Sequence, residues 1–264
     1  VSLSRDVADA LREFASRGRV LVALDFDGVL SPLVDDPSAA RPLPAASAAL
    51  ERLVATTDVA LVSGRDLDDL RACADPPPGV VLVGGHGTQS SLDGAAAGGQ
   101  TLSDAESALL QQLGTALDEI AEGRTGVHVE RKPMSAVLHT RRAARPDAEA
   151  ATAATLAGPA TWAGVHALRG KEVVELGAVV LGKGAGLLRL RERLSTDGPA
   201  VAAVLFAGDD VTDENAFAAL SADDVTVKVG EGETAARLRV ESPVEVAELL
   251  HELADLRVGQ PPTA

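Results

Sequence analysis

The stretch Val20-Leu-Val-Ala-Leu-Asp-Phe-Asp-Gly-Val-Leu30 limits what this chain can become more than any other. Five apolar residues run without a break into Asp25, and Asp27 follows two positions later. A short continuous apolar run is the pattern of a strand buried on both faces, as in a parallel sheet. The carboxyl end of such a strand is the usual ligand crevice of an open α/β sheet. Asp25 and Asp27 fall at that end, and Gly28 permits the turn that follows. Two carboxylates held together repel one another, and a bound divalent cation is the simplest remedy. On this stretch alone, an acidic strand-end turn with no such role is the plain alternative.

The rest of the chain repeats the strand-then-helix rhythm. Leu3, Val7, Ala10, Leu11 and Phe14 have helical spacing over 3–17, ahead of the opening strand. Four prolines in 31–44 exclude a regular helix and indicate a loop or small flap over the strand end. A helix over 45–55 precedes a strand over 58–62, which runs into Ser63-Gly64-Arg65 and a helix from Asp66. Strand, Ser-Gly, then helix presents a hydroxyl and backbone N–H groups to an anion. A third strand over 80–83 ends at Gly84-Gly-His-Gly87. To this point the alternation is that of a parallel α/β sheet.

The pattern then changes. Residues 93–99 read as a flexible hinge or surface loop. Ser103 and Glu106 form a capping box for a helix over 103–122. Strands over 127–131 and 136–141, a helix over 147–157, and strands over 161–167 and 172–176 follow. Helix–strand–strand twice over predicts an α+β insert at 101–179, with 1–100 and 180–264 forming the core. The sheet resumes with a helix over 183–194 and a strand over 201–206. That strand opens into Ala207-Gly-Asp-Asp-Val-Thr-Asp-Glu214 and a helix through 220. A strand over 225–229 and a helix over 243–256 close the chain.

Composition narrows the partners. The 264 residues carry a net charge of −15 and only 2% aromatics, with no Tyr and Trp162 alone. That charge repels phosphate backbones, and platforms for stacking bases are scarce, so nucleic acid is not an expected partner. An anionic substrate would need a local cation to reverse the field. Cys73 is the sole cysteine, so no internal disulfide is possible, which fits a reducing compartment. The first residues lack a basic stretch followed by an apolar one, so no signal peptide is expected. No apolar run approaches the roughly 18–20 residues of a membrane span. A cytoplasmic protein with no membrane partner is the expectation.

Asp25/Asp27, Ser63, Lys183 and Asp209/Asp210/Asp213 would converge on strand ends of one sheet. Together they match what phosphoryl transfer to a carboxylate requires. Asp25 would be the nucleophile and form an aspartyl-phosphate. Repulsion between anions calls for Mg²⁺, held by Asp25, the backbone carbonyl of Asp27 and Asp209. Asp27 would protonate the leaving oxygen and then deprotonate water. Ser63 and the Gly64 N–H would hold a phosphate oxygen, and Lys183 would offset the remaining charge. Asp210 and Asp213 support this acidic turn.

These motifs, in this order, resemble those of the haloacid dehalogenase superfamily of phosphatases. Gly84-Gly-His-Gly87, Val129-Glu-Arg-Lys132, Leu138-His-Thr-Arg141 and Lys171-Glu-Val-Val-Glu175 extend the likeness to its trehalose-6-phosphate phosphatase family. The resemblance implies a Rossmann-like core with an inserted mobile cap that closes over a sugar phosphate. It also implies that Arg65 and, on the cap, Glu130, Lys132, Arg141, Lys171 and Glu175 bind substrate. Two positions depart from the pattern: Gly177 and Ala178 replace a basic residue and proline, and Thr140 stands where Tyr is common. Sucrose-phosphate and glycosyl-phosphoglycerate phosphatases share the core motifs. A non-catalytic sugar-phosphate sensor is a rival from another class, disfavoured by the paired Asp25 and Asp27. Gly177–Gly184 resembles a nucleotide-binding P-loop but has Gly184 where Ser or Thr should bind Mg²⁺. Oligomeric state is not legible, and His86 and His139 fall near the site without a role.

Overall fold

The computed structural model describes residues 3–93, 102–170 and 172–258. The chain divides into two compact units, Val1–Leu92 with Gly182–Ala264, and Asp93–Leu181. The expected hinge at 93–99 lies almost wholly outside the described residues, and Lys171 lies outside them too.

In the first unit the elements are α1 (Arg5–Ser16), β1 (Val20–Leu24), α2 (Pro44–Leu53), β2 (Asp58–Val62), α3 (Leu67–Ala74), β3 (Val81–Gly84) and β4 (Gln89–Ser90). The second unit holds α4 (Asp104–Ala121), β5 (His128–Arg131), β6 (Ser135–His139), α5 (Arg145–Ala157), β7 (His166–Gly170) and β8 (Val173–Gly177). The first unit then resumes with α6 (Lys183–Thr196), β9 (Ala203–Gly208), α7 (Val211–Ala219), β10 (Val225–Val229), β11 (Leu238–Val240) and α8 (Pro243–Arg257).

The strands of the first unit are ordered β11-β10-β9-β1-β2-β3-β4, parallel except for the last pair. Counted along the chain, the parallel part is the 3-2-1-4-5-6 order of a doubly wound sheet, whose topological switch point lies between β1 and β9. All five residues of β1 are fully buried because both sheet faces are covered. Val20, Val22 and Leu24 pack with Leu11, Phe14, Leu50, Leu70 and Leu249 from α1, α2, α3 and α8. Leu21 and Ala23 face Leu187, Leu190 and Phe217 from α6 and α7. This is why the run is apolar throughout rather than alternating. The edge strands β4 and β11 were not expected; at two and three residues they are too short to leave a periodic signal.

The second unit is an antiparallel sheet, β5-β6-β8-β7. Helices α4 and α5 cover one face, where Leu113, Leu117 and Ala151 pack on Ala136, Leu138, Val174 and Leu176. The capping box holds: Ser103 Oγ accepts from the Glu106 N–H and Glu106 Oε2 from the Ser103 N–H. One expectation needs correcting. The strand read over 161–167 begins only at His166, because Pro159 opens a 3₁₀ turn to Thr161 and Gly164 takes a positive φ of 80°. Trp162 follows that turn, 37% exposed.

Arg257, in the last turn of α8, is buried and donates to the carbonyls of Ala15, Arg17, Gly18 and Thr56. It thereby caps the ends of α1 and α2 at once. Arg257→Met should lower stability by about 2–3 kcal/mol in urea unfolding, since hydrogen bonds from a charged donor are lost inside the core.

Candidate active site

The switch point is where the chemistry gathers. Asp25 is the first residue past β1 yet still belongs to the ladder, its N–H donating to the Ala207 carbonyl at 2.9 Å. Its Oδ1 accepts from the Phe26 N–H at 2.6 Å and its Oδ2 from Lys183 Nζ at 2.6 Å. Lys183 is the first residue of α6, a position the helix dipole disfavours for a cation. Two carboxylates reverse that, because Lys183 Nζ also donates to Asp213 Oδ1 at 2.7 Å. All three side chains are buried. Burial works against the Lys183 ammonium, but Asp25 and Asp213 more than offset it and leave its pKa above the ordinary value.

Asp213 is fully committed. Its Oδ2 accepts from the N–H groups of Asp209 and Asp210 at 3.0 and 2.9 Å, which folds the turn after β9 and starts α7. Gly208 is required there, since a Cβ would come within 2.4 Å of the Asp213 carboxyl carbon. Gly28, at a φ of 75°, leaves room for Asp209: a Cβ there would lie 2.1 Å from Asp209 Oδ2.

On the other side of Asp25, the turn after β2 is pinned to β3. Ser63 N–H donates to the Val83 carbonyl, Gly85 N–H to the Arg65 carbonyl and His86 N–H to the Ser63 carbonyl. His86 takes a left-handed φ of 54° between glycines, and its ring covers Gly64 closely enough to forbid a side chain there. Such strain in a non-glycine residue persists only where its surroundings fix it. Asp25, Asp27, Ser63, Gly64, Arg65, Lys183, Asp209 and Asp210 border one cavity of about 570 Å³, with Asp69, His86, Thr212 and the flap residues Leu33, Val34 and Pro37. Asp27 lies beyond the strand and is ion-paired with Arg65.

Lys228 was missed in the sequence reading. It is buried near the end of β10 and its Nζ donates to the Asp209 carbonyl, steadying the acidic turn. The signal was available, as the one charge inside Val225-Thr-Val-Lys-Val229.

In the second unit, Glu130 and Glu175 flank Val137 in one cross-strand row, on the sheet face opposite the helices. Lys132 Nζ lies 3.5 Å from Glu175 Oε1, which also accepts from Ser135 Oγ at 2.5 Å. Glu130 pairs with His139 at 2.8 Å, and His139 stacks on His128. Arg141 is exposed in the turn after β6, and Lys171 is not among the described residues.

The donor chemistry fits a hard divalent cation. Carboxylate oxygens of Asp25, Asp209 and Asp213 lie within 4.8 Å of one another. Asp213 is consumed by Lys183 and two amides, which leaves Asp25 and Asp209 as the carboxylates that could offer oxygens to a cation. Burial pushes the Asp25 carboxyl up to about 8, with Lys183 opposing and Asp213 adding to the rise. Burial likewise pushes Asp209 up to about 6, reinforced by Asp213. At both carboxylates burial outweighs the positive charge nearby, Lys183 at Asp25 and Lys183 with Lys228 at Asp209.

Carboxylates and a buried ammonium at the switch point of this sheet, with an α+β unit inserted after β4, define a haloacid dehalogenase-type α/β fold. Solved structures agree. The *Aspergillus fumigatus* trehalose-6-phosphate phosphatase superposes with a TM-score of 0.73 at 27% identity, covering 97% of this chain and 99% of that one. The *Candida albicans* trehalose-6-phosphate phosphatase C-terminal domain, at a TM-score of 0.68 and 23% identity over 97% and 98% of the two chains, shares the fold. The trehalose-phosphatase family model matches residues 23–243, and the chain belongs to that family. The trehalose-phosphate phosphatase of *Mycobacterium avium* (strain 104) is 36% identical over 251 residues, 89% of this chain and 62% of that protein. That of *Mycobacterium tuberculosis* (strain ATCC 25618 / H37Rv) is 37% identical over 250 residues, 88% and 61% respectively. The chain thus spans about three fifths of the length of these curated relatives. Among the described residues, no helix is long and apolar enough to cross a membrane.

Two outcomes follow for the cation. Gly28→Ala should displace Asp209 and weaken Mg²⁺ binding by about 10–100-fold in calorimetry, with the circular dichroism spectrum unchanged. Because raised carboxyls hold protons that a cation must displace, Mg²⁺ affinity should fall as the pH is lowered from 8 to 6.

Proposed function

We propose that this protein is a Mg²⁺-dependent phosphatase that hydrolyses trehalose 6-phosphate to trehalose and phosphate through an aspartyl-phosphate, the last step of trehalose synthesis. Family membership supports the substrate, and one observation carries the chemistry. A buried carboxylate, Asp25, is fixed at the switch point against Lys183 at 2.6 Å with Asp209 beside it.

Asp25 and Asp209 would hold the cation, with the main-chain carbonyl of Asp27. Bound there, Mg²⁺ would screen the charge of the phosphoryl group from the carboxylates. Asp25 is anchored by its own N–H and by Phe26 N–H, so its oxygens meet phosphorus without reorganisation. An Asp25 oxygen forms the new bond to phosphorus as the bond from phosphorus to the sugar oxygen breaks. Asp27, entering as the carboxylic acid, donates its proton to that oxygen and then takes one from the water that cleaves the acyl phosphate, so Asp25 returns as a carboxylate and Asp27 as the acid. The Ser63 hydroxyl and Gly64 N–H hold phosphoryl oxygens, and Lys183 balances the charge that develops on them. On the second unit, Glu130, Lys132 and Glu175 share one sheet face and would accept and donate hydrogen bonds to sugar hydroxyls, and Arg141, in the turn after β6, would join them. We read that unit as the cap. The substrate is then the small-molecule partner, and a cytoplasmic site of action is part of this proposal.

Asp25→Asn should abolish Mg²⁺-dependent phosphate release without unfolding the protein, and turnover by this variant would exclude the aspartyl-phosphate. Asp27→Asn should slow turnover by about 10²–10⁴-fold. Lys132→Ala and Glu175→Ala should reduce hydrolysis of trehalose 6-phosphate more than that of p-nitrophenyl phosphate. Rates across a panel including sucrose phosphate and glucosyl phosphoglycerate check the choice of sugar.

A further inference from the structure

Arg65 has no part in those steps, yet it is the most heavily bonded side chain at the cavity. Its Nε donates to Asp27 Oδ2 at 2.7 Å and its Nη2 to Asp27 Oδ1 at 2.8 Å. The second Nη2 hydrogen goes to the Pro37 carbonyl at 2.8 Å. Nη1 donates to Asp69 Oδ2 at 2.7 Å and to Cys73 Sγ at 3.4 Å. A guanidinium has five N–H donors, and all five are engaged within this unit. The group also lies 5.5 Å from the centre of the Phe26 ring, and its side chain is only 10% exposed. Nothing is left over for a sugar hydroxyl.

What needs Arg65 is Asp27. Asp25 is fixed by the sheet ladder, but Asp27 lies past the strand, ahead of a glycine at positive φ, with a third of its side chain exposed. Its backbone alone does not aim its carboxylate. A planar fork binding both oxygens sets the plane and direction of the group, which a lysine's single point charge cannot do. Through Pro37 the same fork grips the flap, whose Leu33 and Val34 border the cavity.

Resting on the phosphatase reading, the geometry points to Arg65 as a positioning residue. It aims the Asp27 carboxylate for proton transfer and ties that aim to the position of the flap. It acts through Asp27, not by gripping substrate.

The test compares leaving groups. A sugar alkoxide needs a proton to depart, whereas p-nitrophenolate departs without one. Arg65→Lys keeps the charge and removes the fork. It should lower kcat for trehalose 6-phosphate by about 10²-fold, the scale of a small misplacement of a catalytic group, with KM little changed. In single-turnover measurements of leaving-group release, which exclude the shared hydrolysis of the acyl phosphate, the loss for p-nitrophenyl phosphate should be at least tenfold smaller, given the range for acid–base catalysis. Asp69→Asn, which loosens the fork from behind, should give the same pattern in weaker form and serves if Arg65→Lys folds poorly. In an Asp27→Asn background, Arg65→Lys should add less than about threefold, because the two act as one unit. Equal single-turnover losses on both esters, a change in KM alone, or additivity with Asp27→Asn would overturn the inference. If the unaltered protein hydrolyses neither ester with Mg²⁺, the phosphatase reading fails first, a result distinct from any of these.

Discussion

Everything at the switch point depends on one buried ammonium. Lys183 sits between Asp25 and Asp213, so a single charge joins the end of β1, the start of α6 and the first turn of α7. Removing it would leave two buried carboxylates with backbone N–H partners but no counter-charge, which is far costlier than losing an exposed ion pair. The arrangement also explains why α6 tolerates a cation at its first residue. The local cost at the helix end is small beside two charge-assisted bonds in a dry site. The lysine is thus a structural pin, and on the proposed function it would also be the positive charge that an acidic protein offers a phosphate.

Much of this was legible because the relevant signals are local. The unbroken apolar run of β1 required a covered sheet, and the Asp that ended it had to face the crevice. The Ser103–Glu106 box and the Ser63-Gly64 turn are likewise short-range patterns, and the structure has both. What escaped depends on contacts between distant residues. Arg65 reads as part of a turn motif, but its partners at Asp27 and Pro37 lie 38 and 28 positions away. Lys228 meets Asp209 only because β10 lies beside β9. The edge strands β4 and β11 are too short to show a period, and the strand at 161–167 started late because a proline and a glycine outweighed the apolar pattern.

The two units differ in their chemistry. The first fixes charged groups by burial and by mutual pairing, so its geometry is rigid before any ligand arrives. The second carries polar side chains on the sheet face opposite its helices, the buried Glu175 with Ser135 and the more exposed Glu130 with His139. On the proposed function, fixed charge would suit the transfer of a phosphoryl group, which is the same in every ester, and the polar row of the second unit would suit a sugar, which is where substrates differ.

The near-absence of aromatic side chains has a practical outcome. With no tyrosine and Trp162 as the sole indole, the chain absorbs little at 280 nm, and its ultraviolet emission comes from one position in the second unit. That indole is part-shielded behind a proline turn. A fluorescence melt would therefore follow this unit alone, while backbone ellipticity follows both, so the protein carries its own label for telling apart the loss of one unit from the loss of the other.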